Sequence, residues 1–149
     1  MQVPYSSFKL NLVSKESFER EGISFTDASY INVYIDEQNL LDLPFFESAF
    51  LVFYELAKSI DDSGKFLLFT CVCGLANHGG WEGVEVAHTN EIVAWHIVTD
   101  EFSPADYIFS KEKYVSEINK IREELSSLNV TPEPANVCFP EGCWYLLKR

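Results

Sequence analysis

The sequence predicts an α+β fold: mainly antiparallel sheet with two helices, in the order strands–helix–strands–helix. Three observations predict it. Two early segments alternate apolar and polar residues with the period of a half-buried strand. A middle segment switches to helical spacing. A pair of alternating segments around a short polar turn then precedes a long amphipathic helix. Runs of strands broken by single helices favour local antiparallel pairing over the regular β–α alternation of a parallel sheet.

FKLNLV at 8–13 is the first strand, and SYINVYI at 29–35 the second, with Ile31, Val33 and Ile35 on one face. DEQN at 36–39 is a turn, after which LLDL at 40–43 returns as a short paired strand. In PFFESAFLVFYELAKSI, at 44–60, Phe46, Ala49, Phe50, Phe53, Leu56, Ala57 and Ile60 recur at helical spacing. Pro44 suits a first helical turn and Glu47 the positive end of the helix dipole. DDSG at 61–64 stops this helix, whose apolar surface places it centrally against a sheet.

KFLLFTCVC at 65–73 is the next strand and GLANHGG at 74–80 a glycine-rich loop. WEGVEVAH and EIVAWHIV form a hairpin about Thr89 and Asn90, with His88 opposite Glu91. Val86 then faces Val93, Val84 faces Trp95 and Glu82 faces Ile97. One face carries Val84, Val86, Val93, Trp95 and Ile97; the other carries Trp81, Glu85, Ala87, Ile92, Ala94 and His96. After a loop near Ser103 and Pro104, SKEKYVSEINKIREELSSLN is the second helix. Ser110 caps it, Tyr114, Ile118, Ile121, Leu125 and Leu128 form its apolar stripe, and its other face is charged and solvated. The tail from 130 on is irregular, with a short strand expected at 144–147. Strand order is expected to follow sequence order within each half.

The chain's 149 residues suit a single domain, 1–149, large enough to bury a core without staples. No apolar run reaches the length of a membrane span, and MQVPYSSFKLNLV lacks the features of a signal peptide, so a cytoplasmic protein is expected. Asp and Glu number 23 against 11 Lys and Arg, a formal net charge of −12. Such a field repels phosphate backbones and anionic lipid, which argues against nucleic-acid and membrane partners, and it attracts basic proteins.

Residues 69–97 concentrate the chemistry-bearing side chains. Cys71, Cys73 and His78 offer three metal ligands, with Cys138 or Cys143 as a fourth. A C-x-C pair on a strand points its thiols to opposite faces, however, and buried thiols pack as hydrophobes. Glu85 and His96 share a face and meet diagonally; His88 and His96 point to opposite faces and cannot form a dyad. No G-x-S-x-G, P-loop or dinucleotide fingerprint is present. GLANHGGWEG joins strand to strand, without the helix N-terminus that phosphate binding needs. Neither a cofactor nor a small-molecule substrate is implied. The alternative to a purely structural role for this stretch is a metal-binding or thiol-dependent catalytic domain centred on Cys71, Cys73 and His78.

The T-C-x-C-G strand, the glycine loop, W-x-G-V-x-V-x-H and V-x-W-H-I resemble a pattern of small bacterial proteins, some of which accompany polymorphic toxins as immunity proteins. The element order and acidity are similar to immunity proteins of contact-dependent growth inhibition, including a subset with a Whirly-like α+β fold that neutralises an EndoU-type RNase toxin. The resemblance covers roughly residues 65–128. It implies a non-enzymatic protein that binds and occludes a basic toxin domain, a nuclease. The residues expected to meet that toxin are Trp81 and Tyr107 as anchors, with Glu82, Glu85, Asp100, Glu101 and Asp106 as the acidic surround.

Overall fold

A computed structural model describes residues 5–20, 22–43, 46, 49–71, 83–97 and 105–134. The α+β class and the antiparallel pairing are as the sequence predicts, with two α-helices among the described residues. The strands are β1 (Phe8–Arg20), β2 (Ile23–Ile35), β3 (Gln38–Asn39), β4 (Ala49–Leu51), β5 (Gly64–Phe66), β6 (Phe69–Cys71), β7 (Val84–His88), β8 (Ile92–Ile97) and β9 (Ala105–Ser110). The helices are α1 (Phe53–Lys58) and α2 (Lys111–Leu128). Three sheets form, ordered β1-β2-β3, β4-β6 and β5-β7-β8-β9. Sequence order holds in the first sheet; in the last, β6 is skipped because it leaves to pair with β4.

The first hairpin is longer than its apolar alternation indicates. β1 and β2 each run 13 residues, with register shifts between Val13 and Glu16 and between Glu16 and Phe18. The polar far half is held by aromatic packing: Phe18 stacks on Phe25 at 4.9 Å, and both meet Phe50. Arg20 ties the tip down by donating to the carbonyls of Ala49, Leu41 and Phe46. β2 turns into β3 through Asp36 and Glu37, both at positive φ, as a tight two-residue hairpin requires. Leu40–Asp42 is a 3-10 turn capped by the Asn39 side chain and not the expected strand.

Among the described residues of 44–60, where a helix is expected, only Phe53–Lys58 is α-helical. Ala49–Leu51 is a fully buried strand paired with β6, and α1 spans six residues. A continuous apolar run fits a buried strand as well as a buried helix, and the equally apolar 69–71 segment supplies the strand partner. The strand expected over 65–73 is likewise two strands. Between them Leu67 N donates to Oε1 of the buried Glu55 and Leu68 N to Phe66 O, which turns the chain from one sheet into another. β9 was not foreseen.

The β7–β8 faces are as read, but the register is not. Thr89 N donates to Ile92 O, so the hairpin turns about Asn90 and Glu91, and His88 pairs with Val93, Val86 with Trp95 and Val84 with Ile97. Moving the turn centre by one residue shifts each partner by two, which preserves the faces while changing every pair. Lys111 N donates to Glu91 O and fastens this turn to the β9–α2 junction.

α2 is legible in the sequence. Ser110 Oγ accepts from Lys113 N, and Tyr114, Ile118 and Ile121 are buried. Two corrections apply: Leu128 is exposed, and the charged face holds one buried member, Glu117. Its Oε1 accepts from Leu10 N at 2.9 Å and from Lys120 Nζ at 3.0 Å, and Lys120 Nζ also donates to Leu10 O. The pair thus completes the hydrogen bonding of the β1 edge that β2 leaves open. Burial works against the charge on Glu117, but the Leu10 N–H and the ammonium groups of Lys120 and Lys113 outweigh it and hold the carboxyl below its ordinary range.

The core is aromatic at its centre. Trp95 meets Phe109 edge-on at 5.1 Å and Phe8 at 5.8 Å, and Phe8 packs on Tyr114 at 4.9 Å. A polar chain threads it: Trp95 Nε1 donates to Tyr114 OH, which bonds Ser59 Oγ, which donates to Leu56 O. Burial pushes the Tyr114 phenol up to about 12, against the opposing bonds to Ser59 and Trp95.

Candidate protein-binding face

The four-stranded sheet positions the site. Strand alternation sends Val84, Val86, Val93, Trp95, Ile97 and Phe109 into the core, all essentially buried. The intervening residues face the other way, and register lines them up in rows. Lys65, Glu85, His96 and Asp106 lie directly opposite one another across β5, β7, β8 and β9. Ala87, Ala94 and Ile108 form the next row. These side chains are exposed or half-buried, so no described element seals this face.

Electrostatically the face is a short acidic strip beside a flat apolar one. His96 Nδ1 bonds Asp106 Oδ1, with the two side chains 41% and 72% exposed. A carboxylate in this pairing accepts, so Nδ1 carries the proton. Glu85 stands on the other side of His96, directly across and not diagonally as expected.

The expected toxin-facing residues divide three ways. Glu85 and Asp106 come together on the open face. Tyr107, next to Asp106 on β9, turns to the opposite face. It is half-buried, stacks on Phe109 and has its phenol pushed up by burial and by the charge of Asp36. Trp81, Glu82, Asp100 and Glu101 lie outside the described residues. His96 was placed on this face by the sequence, yet its bond to Asp106 was not foreseen because β9 itself was not.

His88 and Cys71 are committed to the fold. His88 sits on the core-facing side, its Nε2 donating to the carbonyl of Ser59 at the C-terminal end of α1, with Nδ1 buried and unpaired. Cys71 is buried, while Cys73, His78, Cys138 and Cys143 lie outside the described residues. Among the described residues no group of three or more His, Cys, Asp or Glu could hold a metal ion. Nor is any described helix long and apolar enough to cross a membrane. A cleft of about 400 Å³ opens near the start of α2, lined by Ser7, Phe8, Lys9, Tyr34, Glu37 and Lys113. Its two lysines suit it poorly to cations. Compared with known proteins, the chain matches no family model, no curated protein and no solved structure.

Proposed function

We propose that this chain is a non-enzymatic immunity protein that binds a basic toxin domain, a nuclease, and blocks it by covering its active site. The observation that carries the proposal is the open sheet face, where Glu85 and Asp106 flank His96 beside a flat apolar row. The net charge of −12 supports it. A nuclease holds its polyanion with basic groups, and an acidic protein competes for the same groups. Steering between opposite charges raises association to about 10⁸–10⁹ M⁻¹s⁻¹ at low salt, against about 10⁵–10⁶ without it. The same charge disfavours nucleic acid as a partner of this chain. Protection of this kind places the protein in the cytoplasm, where a nuclease toxin would act.

The test uses the C-terminal domain of the protein encoded immediately upstream. Its nuclease activity is titrated with this chain at low and at high salt. Inhibition complete at one equivalent, with association slowed by salt, is the expected result. An active nuclease left uninhibited by excess chain would sink the proposal.

A further inference from the structure

We infer that the far half of the β1–β2 hairpin is a flap, hinged at two successive bulges around Lys15 and Asp27, latched by Arg20 and closed over Phe50 and Cys71. The motion is a property of the fold and does not depend on the binding function proposed above.

The ladder itself divides the hairpin. Residues 8–13 pair one for one with 30–35, and residues 18–20 with 23–25. Between these stretches one pair remains, Glu16 with Ala28. Residues 14 and 15 of β1 stand against Ser29 alone, and residues 26 and 27 of β2 against Ser17 alone. Each strand thus carries one extra residue, at neighbouring levels. Each bulge holds a residue at positive φ, Lys15 at 54° and Asp27 at 52°. A bulge bends its strand and leaves the extra residue out of the ladder. A left-handed lysine persists only where its surroundings impose it. Bends on both strands at one level make a hinge. Its fixed side is the buried Ser29, whose Oγ accepts from Lys15 N at 3.1 Å and whose carbonyl accepts from Glu133 N at 2.6 Å.

The two halves rest on different supports. In the near half Phe8, Leu10, Ile31, Val33 and Ile35 belong to the main core. In the far half Phe18 and Phe25 are half-buried and pack on a separate cluster of Phe50 and Cys71. Tyr30, beside the hinge, touches both clusters. Residues 16, 17, 19, 24, 26 and 27 are exposed, so no described element holds the flap down from outside. Arg20 holds it from within. Its Nε donates to Ala49 O and its Nη2 to Leu41 O and Phe46 O, all at 2.9–3.0 Å, and the guanidinium lies 5.7 Å from the centre of the Phe50 ring. A segment with a small apolar cluster of its own opens at a lower free energy than the core beside it. Opening here lifts Phe18 and Phe25 from Phe50 and Cys71.

The experiment is amide hydrogen exchange of the full chain, read by NMR, together with alkylation of Cys71 by iodoacetamide, located by peptide mapping. In the wild type the hydrogen-bonded amides of 18–20 and 23–25 should share one opening rate, about tenfold or more above those of 8–13 and 30–35. The step should fall at the hinge. Arg20→Gln removes the latch. It should speed flap exchange and Cys71 alkylation together by about tenfold, the scale of a charged hydrogen bond lost. Exchange in 8–13 and 30–35 should stay within about twofold of wild type. Should Arg20→Gln not fold, the wild-type pattern decides alone. A step at the hinge supports the flap, whereas a common rate across both halves, or a gradient falling away from the tip as simple fraying gives, overturns it. In the folded variant, equal acceleration of both halves, or Cys71 alkylation left unchanged, also overturns it.

Discussion

His88 and His96 lie on one hairpin, eight positions apart, and the two faces of the sheet put them to opposite uses. His88 turns inward. Its Nε2 completes the carbonyl of Ser59, at the end of a helix that leaves its last carbonyls without intrahelical partners. His96 turns outward and is paired with an exposed carboxylate. The inner face is a structural device in which an aromatic cluster and a chain of hydrogen bonds fix one arrangement. On the outer face the described side chains are exposed or half-buried, and no described element packs over them.

The largest expected effect breaks the inner face. Trp95→Ala removes edge contacts to Phe8, Phe69, Phe109 and Tyr114 and takes the donor from Tyr114 OH. The loss should be about 3–5 kcal/mol, read as a fall in the urea midpoint followed by circular dichroism. A change under about 1 kcal/mol would mean that the cluster is not the centre of the core.

Next comes the clamp between α2 and β1. Glu117→Leu leaves Leu10 N–H without its acceptor and Lys120 without its carboxylate, at a cost of about 1–3 kcal/mol. The carboxyl is held below its ordinary range when folded, so its contribution is complete above the unfolded value of about 4.3 and drains away as pH falls through the lower folded value. Urea midpoints of wild type and Glu117→Gln should therefore converge on acidification. A gap that stays constant down to pH 2 would exclude this role.

Tyr114 sharpens the comparison at the alkaline end. Its phenol is raised to about 12 when folded, so the neutral form is the one the fold favours. The stability it contributes is intact below the unfolded value of about 10 and is lost as pH rises from there through the folded value. Wild type should lose stability over that window more steeply than Tyr114→Phe. Equal slopes would mean that the buried hydroxyl is already accessible to base.

What was legible in the sequence follows the same division. Elements whose pattern is set by one neighbouring surface could be read. α2 shows its stripe and its Ser110 cap, and β7 and β8 show which residues go in and which out. Elements whose form depends on a distant partner could not. The run from Phe46 to Ile60 satisfies helical spacing, and only the pairing of Ala49–Leu51 with 69–71 makes part of it a strand. The break at Leu67 needs the Glu55 carboxylate from α1. The hairpin register was misplaced because Asn90, the turn-forming residue, belongs to both candidate centres and does not choose between them, and the bond that fastens the turn comes from Lys111. The candidate site was half legible for this reason. Alternation gave Glu85 and His96 a common face, but the acid that holds His96 lies on β9, and Tyr107, its neighbour there, had to turn inward once Asp106 turned out.

The smallest stability effects should come from the outer face, and this is the finest test of the comparison. His88→Ala should cost about 1–3 kcal/mol, because the Ser59 carbonyl at the end of α1 loses its donor in a half-buried place. His96→Ala should cost no more than about 0.5–1 kcal/mol, since its partner Asp106 is solvated and an exposed pair contributes little. Asp106→Asn should fall in the same small range. Thermal and urea unfolding of the three variants side by side decide the matter. If His96→Ala proves as damaging as His88→Ala, the open face is structural after all, and its acidic row must be explained by the fold and not by a partner. If the expected order holds, the fold has no need of His96 and Asp106, and both can be exchanged without loss of structure when the proposed binding is tested.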